Sequence, residues 1–142
     1  MRTVFITGGT GLIGSRLILN FLKNDFKVIC YGRSVDKILR QFSGKVIPTT
    51  NFGHTGVDYV IHAACPTTST MLKEQPVEVI DCIYTLTKQT LDLAKRNSAR
   101  YMYLSSMEVY GSSIGYVSED QHGVFDLSVG RNSYPVATSS VL

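Results

Sequence analysis

The amino-acid sequence predicts an α/β fold in which a parallel sheet carries helices on both faces. Three observations predict it. Short apolar stretches rich in β-branched residues alternate with segments whose apolar residues recur at helical spacing. A turn with evenly spaced glycines joins the first strand to the first helix. The chain has 142 residues with no internal repeat, low-complexity tract or linker, which suits one domain over residues 1–142.

The elements follow in order. Arg2–Thr7 reads as a strand buried on both faces. Gly8–Gly11 is a turn, and Leu12–Asn24 is a helix with Leu12, Ile13, Leu17, Ile18, Phe21 and Leu22 at helical spacing. Lys27–Tyr31 is a second strand, and Ser34 caps a short helix over Val35–Phe42. Lys45–Pro48 is a third, short strand. Pro48–Gly56 then shows no helix pattern, whereas a parallel crossover normally needs a dozen or more residues. Either that strand is absent or the connection is tight and extended.

Tyr59–Ala63 is the next strand. Pro76 opens a helix that runs to about Asn97. Ile80, Ile83, Thr87, Leu91 and Ala94 form one apolar stripe on it, widened by Val79, Cys82, Leu86 and Leu93. Such a stripe suits either deep burial within the domain or contact on two sides, with the sheet and with another subunit. Arg100–Ser105 is a further strand, and Gly111–Ser133 is a long polar loop of the kind that often carries function.

Composition excludes several classes. No apolar run is long enough to cross a bilayer, and the opening residues lack the length and cleavage site of a signal peptide. Cys30, Cys65 and Cys82 are odd in number and lack metal spacing, which fits a reducing compartment, the cytoplasm. The net charge of +3 forms no basic stripe with interleaved aromatics, so nucleic acid is not an implied partner.

The chemistry begins at Thr7-Gly8-Gly9-Thr10-Gly11-Leu12-Ile13-Gly14. Gly8 permits a tight turn at the strand end, Gly11 lets the backbone approach a pyrophosphate, and Gly14 lets the helix pack closely. The unpaired N–H groups at the helix start, aided by the helix dipole, then face an anion. Strand before and helix after supply the context that this dinucleotide signature requires. The second strand ends at Tyr31-Gly32-Arg33-Ser34, where an acid would hold an adenosine ribose. No acid stands there. Arg33 and Ser34 suit a 2′-phosphate instead, which favours NADP over NAD as the cofactor.

Four segments then resemble the extended short-chain dehydrogenase/reductase superfamily, in its sugar-nucleotide epimerase/dehydratase branch. They are the Thr7–Gly14 turn, Asp58-Tyr59-Val60-Ile61-His62-Ala63-Ala64, Leu104-Ser105-Ser106-Met107-Glu108-Val109-Tyr110-Gly111 and Arg131-Asn132-Ser133-Tyr134-Pro135-Val136-Ala137. The resemblance implies a Rossmann-type doubly wound sheet, truncated before the C-terminal region that binds the nucleotide sugar. It implies cofactor contacts at Gly8, Gly11, Leu12, Ile13, Gly14, Arg33, Ser34, Ala63, Ala64 and Tyr134. His62, in the same segment, also reads as a satisfied histidine at a strand end and is not assigned as a base.

By the same resemblance Ser106 bonds the sugar O4, the Tyr134 phenolate takes its proton, and hydride leaves C4 for the nicotinamide. Glu108 would act near C5. Dehydratases usually carry an aspartate just before that glutamate, but Met107 stands here. The pattern is therefore more similar to nucleoside-diphosphate-uronate decarboxylases. The family's lysine four residues after the tyrosine is replaced by Thr138, which supplies no positive charge to lower the tyrosine pKa.

The sequence thus implies either an NAD(P)-dependent epimerase, dehydratase or decarboxylase of nucleotide sugars, or a catalytically incomplete dinucleotide-binding module. A redox-sensing protein on the same fold is a third class, disfavoured by Ser106 and Tyr134. The expected partners are a nucleotide sugar and, through the helix over 76–97, a second copy in a homodimer. No membrane partner is expected.

Overall fold

The computed structural model describes residues 1–66, 68–111 and 115–120, with the side chains of Ser69 and Glu108 outside that description. Its strands are β1 (Thr3–Thr7), β2 (Lys27–Tyr31), β3 (Ile47–Thr49), β4 (Tyr59–His62) and β5 (Arg100–Tyr103). Its helices are α1 (Leu12–Lys23), α2 (Val35–Phe42), α3 (Ser69–Glu74) and α4 (Pro76–Asn97), followed by a 3₁₀ turn at Met107–Tyr110. The strands form one parallel sheet in the order β3-β2-β1-β4-β5. This is the doubly wound order, in which β1 has β2 on one side and β4 on the other.

Alternation along each strand builds two cores. Val4 and Ile6 of β1, Val28 and Cys30 of β2 and Ile61 of β4 share one cluster with Ile18 of α1 and with Ile38 and Phe42 of α2. Phe5, Ile29 and Val60 project to the opposite face and pack with Val57, Leu93 and Ala94. β1 is buried along its whole length, as its unbroken apolar run requires. Ser34 accepts a hydrogen bond from the Lys37 N–H and so caps α2, as the sequence predicts.

The third strand exists, shifted to Ile47–Thr49, and pairs with β2. The connection to β4 is the tight, extended one. Crossing three strand spacings needs about 14 Å, and the extended segment over residues 50–58 reaches about 30 Å. It does the work of a crossover helix by side-chain burial. Phe52 packs 5.6 Å from the Phe5 ring and 4.4 Å from the Tyr31 ring, and His54 packs 5.7 Å from Phe5. The end of α4 fastens this strap. Arg96 donates to the Phe52 carbonyl at 2.9 Å, and Asn97 donates to the His54 carbonyl at 3.0 Å while accepting from the Val57 N–H at 3.2 Å.

The stripe predicted on α4 is corrected. Val79, Ile83, Thr90, Leu93 and Ala94 are buried, whereas Ile80 and Leu91 are exposed. At about 100° per residue, Ile80 and Leu91 lie a quarter turn or more from the centre of the buried face. They join Val77 and Tyr84 in a second, exposed apolar strip. α3 and the 3₁₀ turn have no counterpart in the sequence reading.

The chain divides into two compact units. The first contains Met1–Cys65 and Leu86–Leu104, hence the whole sheet. The second begins with Pro66–Thr85 and takes up the chain again at Ser105.

Candidate dinucleotide site

The site in the first unit is built where β1, β2 and β4 end. β1 passes into Gly8 at φ +70°, a conformation that side chains rarely adopt. A Cβ there would also land on the Ala63 carbonyl, so the glycine turn and the end of β4 touch backbone to backbone. Gly11 donates to the Gly8 carbonyl at 3.0 Å and closes the turn. A Cβ on Gly14 would fall on that same Gly8 carbonyl, so the first turn of α1 packs directly on the loop. The sequence reading omits Gly9, whose missing Cβ leaves room for Cys30 Sγ and Ile18. Adjacent glycines are the signal for it.

The start of α1 is left open. Its N-cap is Gly11, no side chain caps it, and its first turn holds no acid. The N–H groups of Leu12, Ile13 and Gly14 therefore have no intrahelical partner and, among the described residues, no capping side chain. Leu12 and Ile13 stand exposed, while Gly14 is buried. Partial positive charge from the helix dipole gathers at these amides.

Beside them, Thr10, Gly32, Arg33, Ser34, Lys37 and Ile38 line a cleft of about 130 Å³. The sequence reading places Arg33 and Ser34 at this site. It omits Lys37, which lies three residues past Ser34 on the first turn of α2, where such neighbours meet. Two cations and the hydroxyl residues Thr10 and Ser34 thus line one small cleft. Asp36 is the one acid in that first turn.

At the end of β4, Ala63 and Ala64 are half-buried, and both N–H groups donate to Thr7 Oγ1 at 3.2 Å. Thr7 Oγ1 lies 2.8 Å from His62 Nδ1, and His62 Nε2 lies 3.2 Å from Thr87 Oγ1. Burial, the one cause, lowers the His62 pKa to about 4. His62 is thus the satisfied histidine at a strand end that its sequence position suggests. Burial likewise raises the Cys30 thiol to about 11, against a smaller opposing effect of the Gly9 backbone, so this cysteine is unreactive at neutral pH. Among the described residues no cluster of three or more His, Cys, Asp or Glu could hold a metal. Among them, too, no helix is long and apolar enough to cross a membrane.

Ser106 and Glu108 belong to the second unit. Ser106 is half-buried and its carbonyl accepts from the Val109 N–H at 3.2 Å, which starts the 3₁₀ turn that contains Glu108. Tyr134 and Thr138 lie outside the described residues, as does most of the loop over 111–133.

A doubly wound parallel sheet with an uncapped glycine turn at its switch point defines a dinucleotide-binding class of protein. Residues 4–137 match the NAD dependent epimerase/dehydratase family, and the chain belongs to that family. It is 31% identical over 121 residues to UDP-glucuronic acid decarboxylase 2 of Arabidopsis thaliana, covering 78% of this chain and 27% of that protein. It is equally 31% identical to UDP-glucuronic acid decarboxylase 3 of the same plant, covering 78% of this chain and 35% of the relative. The chain thus spans about a third or less of the curated relatives it matches.

The fold matches a UDP-glucose 4-epimerase from Stenotrophomonas maltophila, solved with bound NAD and formylated UDP-arabinopyranose. The TM-score is 0.77 at 17% identity, over 99% of this chain and 46% of that one. It also matches PbgP3 from Burkholderia pseudomallei with a TM-score of 0.80 at 16% identity, over 99% of this chain and 46% of that one. At such identities the likeness is one of fold.

Proposed function

We propose that this chain forms the dinucleotide-binding part of an NAD(P)-dependent enzyme that transiently oxidises a nucleotide sugar at C4. Decarboxylation of a nucleoside-diphosphate uronate is the favoured outcome, ahead of epimerisation or dehydration. One observation carries the reading: the uncapped amides of Leu12, Ile13 and Gly14 beside the glycine turn. Gly11 brings no side chain to those amides, so a pyrophosphate fits against them. Arg33, Ser34 and Lys37 would hold a 2′-phosphate, and Ala63 and Ala64 would leave room beside the cofactor. This favours NADP over NAD.

A bound nicotinamide would supply a reversible hydride acceptor for the sugar C4. The protein's own residues would do the rest. The Ser106 hydroxyl would hold the sugar O4, and Tyr134 would take the proton from it. Glu108 would act near C5. The similarity to UDP-glucuronic acid decarboxylases supports the uronate as substrate.

Calorimetric titration tests binding. We expect NADP to bind more tightly than NAD, and the Arg33→Ala, Lys37→Ala double variant to lose about tenfold for NADP alone. Absence of heat with either cofactor overturns the reading.

A second reading rests on Thr138. Without the lysine's charge a tyrosine keeps a pKa of about 10, so few phenols ionise at neutral pH. On this reading the chain binds dinucleotide without turnover. Incubation with UDP-glucuronate and cofactor, followed at the nicotinamide absorbance band beside a full-length relative, separates the two. A homodimer through α4 is part of the proposal, supported by its exposed strip of Val77, Ile80, Tyr84 and Leu91. So is a cytoplasmic setting, supported by the odd number and the spacing of Cys30, Cys65 and Cys82.

A further inference from the structure

The ladder between β1 and β4 ends at the pair Thr7–His62, both buried. The next two amides, of Ala63 and Ala64, lie beyond that last pair. Both donate to Thr7 Oγ1. A hydroxyl has two lone pairs and one hydrogen. With both lone pairs occupied, the Thr7 hydrogen has one direction left, towards His62 Nδ1 at 2.8 Å. Nδ1 must then be an acceptor. The ring's hydrogen sits on Nε2 and points at Thr87 Oγ1, 3.2 Å away. A charged ring would drive a third donor into an oxygen that has no lone pair left, between two buried residues.

The chain of bonds has a direction. It starts at Thr87 on α4, passes through the ring to the end of β1, and ends on the Ala63–Ala64 peptide. That peptide is the surface against which Gly8 is pressed, and Gly8 in turn supports Gly14. We propose that His62, held as its Nε2–H tautomer between Thr7 and Thr87, is a positioning residue that fixes the end of β4 against the glycine turn and so sets the shape of the dinucleotide site. This rests on the dinucleotide reading above. His62 touches no cofactor atom in this role; it aims the Thr7 hydroxyl, and the hydroxyl holds the two amides.

The chemistry of the side chain makes the idea testable. An asparagine amide reaches about where Nδ1 stands and restores an acceptor for Thr7. A glutamine amide reaches about where Nε2 stands, so it serves Thr87 and leaves Thr7 without its acceptor. The experiment measures NADP and NAD affinity by calorimetry for wild type, His62→Asn, His62→Gln, Thr7→Ser and Thr7→Val. Thermal unfolding of each is followed in parallel. A long-range proton–nitrogen correlation spectrum of the wild-type imidazoles reports the tautomer.

We expect the Nε2–H pattern for His62 at neutral pH. We expect His62→Gln and Thr7→Val to lose about tenfold or more in affinity, with His62→Asn and Thr7→Ser rescued to within about threefold of wild type. An Nδ1–H or doubly protonated ring overturns the inference, with no variant needed. So does equal loss in the Asn and Gln variants of a wild type that binds. A wild type that binds neither cofactor overturns the dinucleotide reading itself, and the positioning role with it.

Discussion

Gly8 and His62 show how much of the site is decided by single residues. Gly8 sits at φ +70° with the Ala63 carbonyl where a Cβ would go. Gly8→Ala therefore combines an unfavourable backbone conformation with a steric overlap that only a shift of β4 can relieve. We expect a loss of at least about 2 kcal/mol in urea unfolding, and no calorimetric response to either cofactor. An alanine variant that binds normally would show that the turn and the end of β4 move apart freely. His62 makes a pH prediction. Its pKa falls from 6.5 to about 4 on folding, so between these values the unfolded chain binds more protons. Stability from this group is therefore present above about pH 6.5 and is lost as the pH falls through 4, by roughly 3 kcal/mol in all. Comparing urea midpoints of wild type and His62→Asn from pH 7 to pH 4 isolates it, because the carboxylates and the other histidines titrate in both. Wild type should lose its advantage on acidification, and parallel curves would refute the assignment. The sequence makes a buried, satisfied histidine one reading of this position. It does not reveal the tautomer, which depends on two amides reaching Thr7 from the next residues of another strand.

The strap over residues 50–58 marks where reading elements from sequence succeeds and where it stops. Strands β1, β2, β4 and β5 and helices α1, α2 and α4 are legible because each buries a regular face, and regular burial leaves a period in the sequence. The strap has no period. Phe52, His54 and Val57 are held by tertiary packing on Phe5 and Tyr31 and by the end of α4, so nothing local announces them. β3 is legible only to within two residues because a three-residue edge strand carries little pattern. The error on α4 has a related cause. Apolar residues occupy two strips on that helix, and composition alone does not say which is covered. Asn97 is the residue on which the strap depends. Its amide serves the Val57 N–H, the His54 carbonyl and the Leu93 carbonyl. Asn97→Ala leaves the buried Val57 amide without its acceptor, which costs about 1–3 kcal/mol. Amide hydrogen exchange at Val57 should accelerate well beyond that of the β1 amides. If Val57 and β1 exchange together in the variant, the strap unfolds only with the whole sheet and Asn97 is not its fastening.

In the molecule as a whole, parallel strands bring Gly8, Gly32, Arg33, Ala63 and Ala64 to one end of the sheet, although they are scattered along the chain. The doubly wound order then opens a crevice between the neighbours of β1. That arrangement is legible in the sequence, because strand–helix alternation and the glycine turn specify it together. Lys37 is not, since its relevance depends on how α2 sits over the turn. The unit that holds Ser106 is less legible still: its 3₁₀ turn and α3 are short and carry no amphipathic repeat. Assembly is the remaining property of the whole molecule that one face can decide. α4 is 22 residues long, about 33 Å, and its strip of Val77, Ile80, Tyr84 and Leu91 is more than two-fifths exposed at each position. A helix partner from a second copy would cover such a strip in a way that water does not. Ile80→Lys with Tyr84→Lys places two charges on it without touching the buried residues Val79 and Ile83. Sedimentation of the wild type should give a dimer, and the double variant a monomer with an unchanged circular dichroism spectrum. A monomeric wild type, or a dimer that survives both lysines, would assign that strip to something other than self-association.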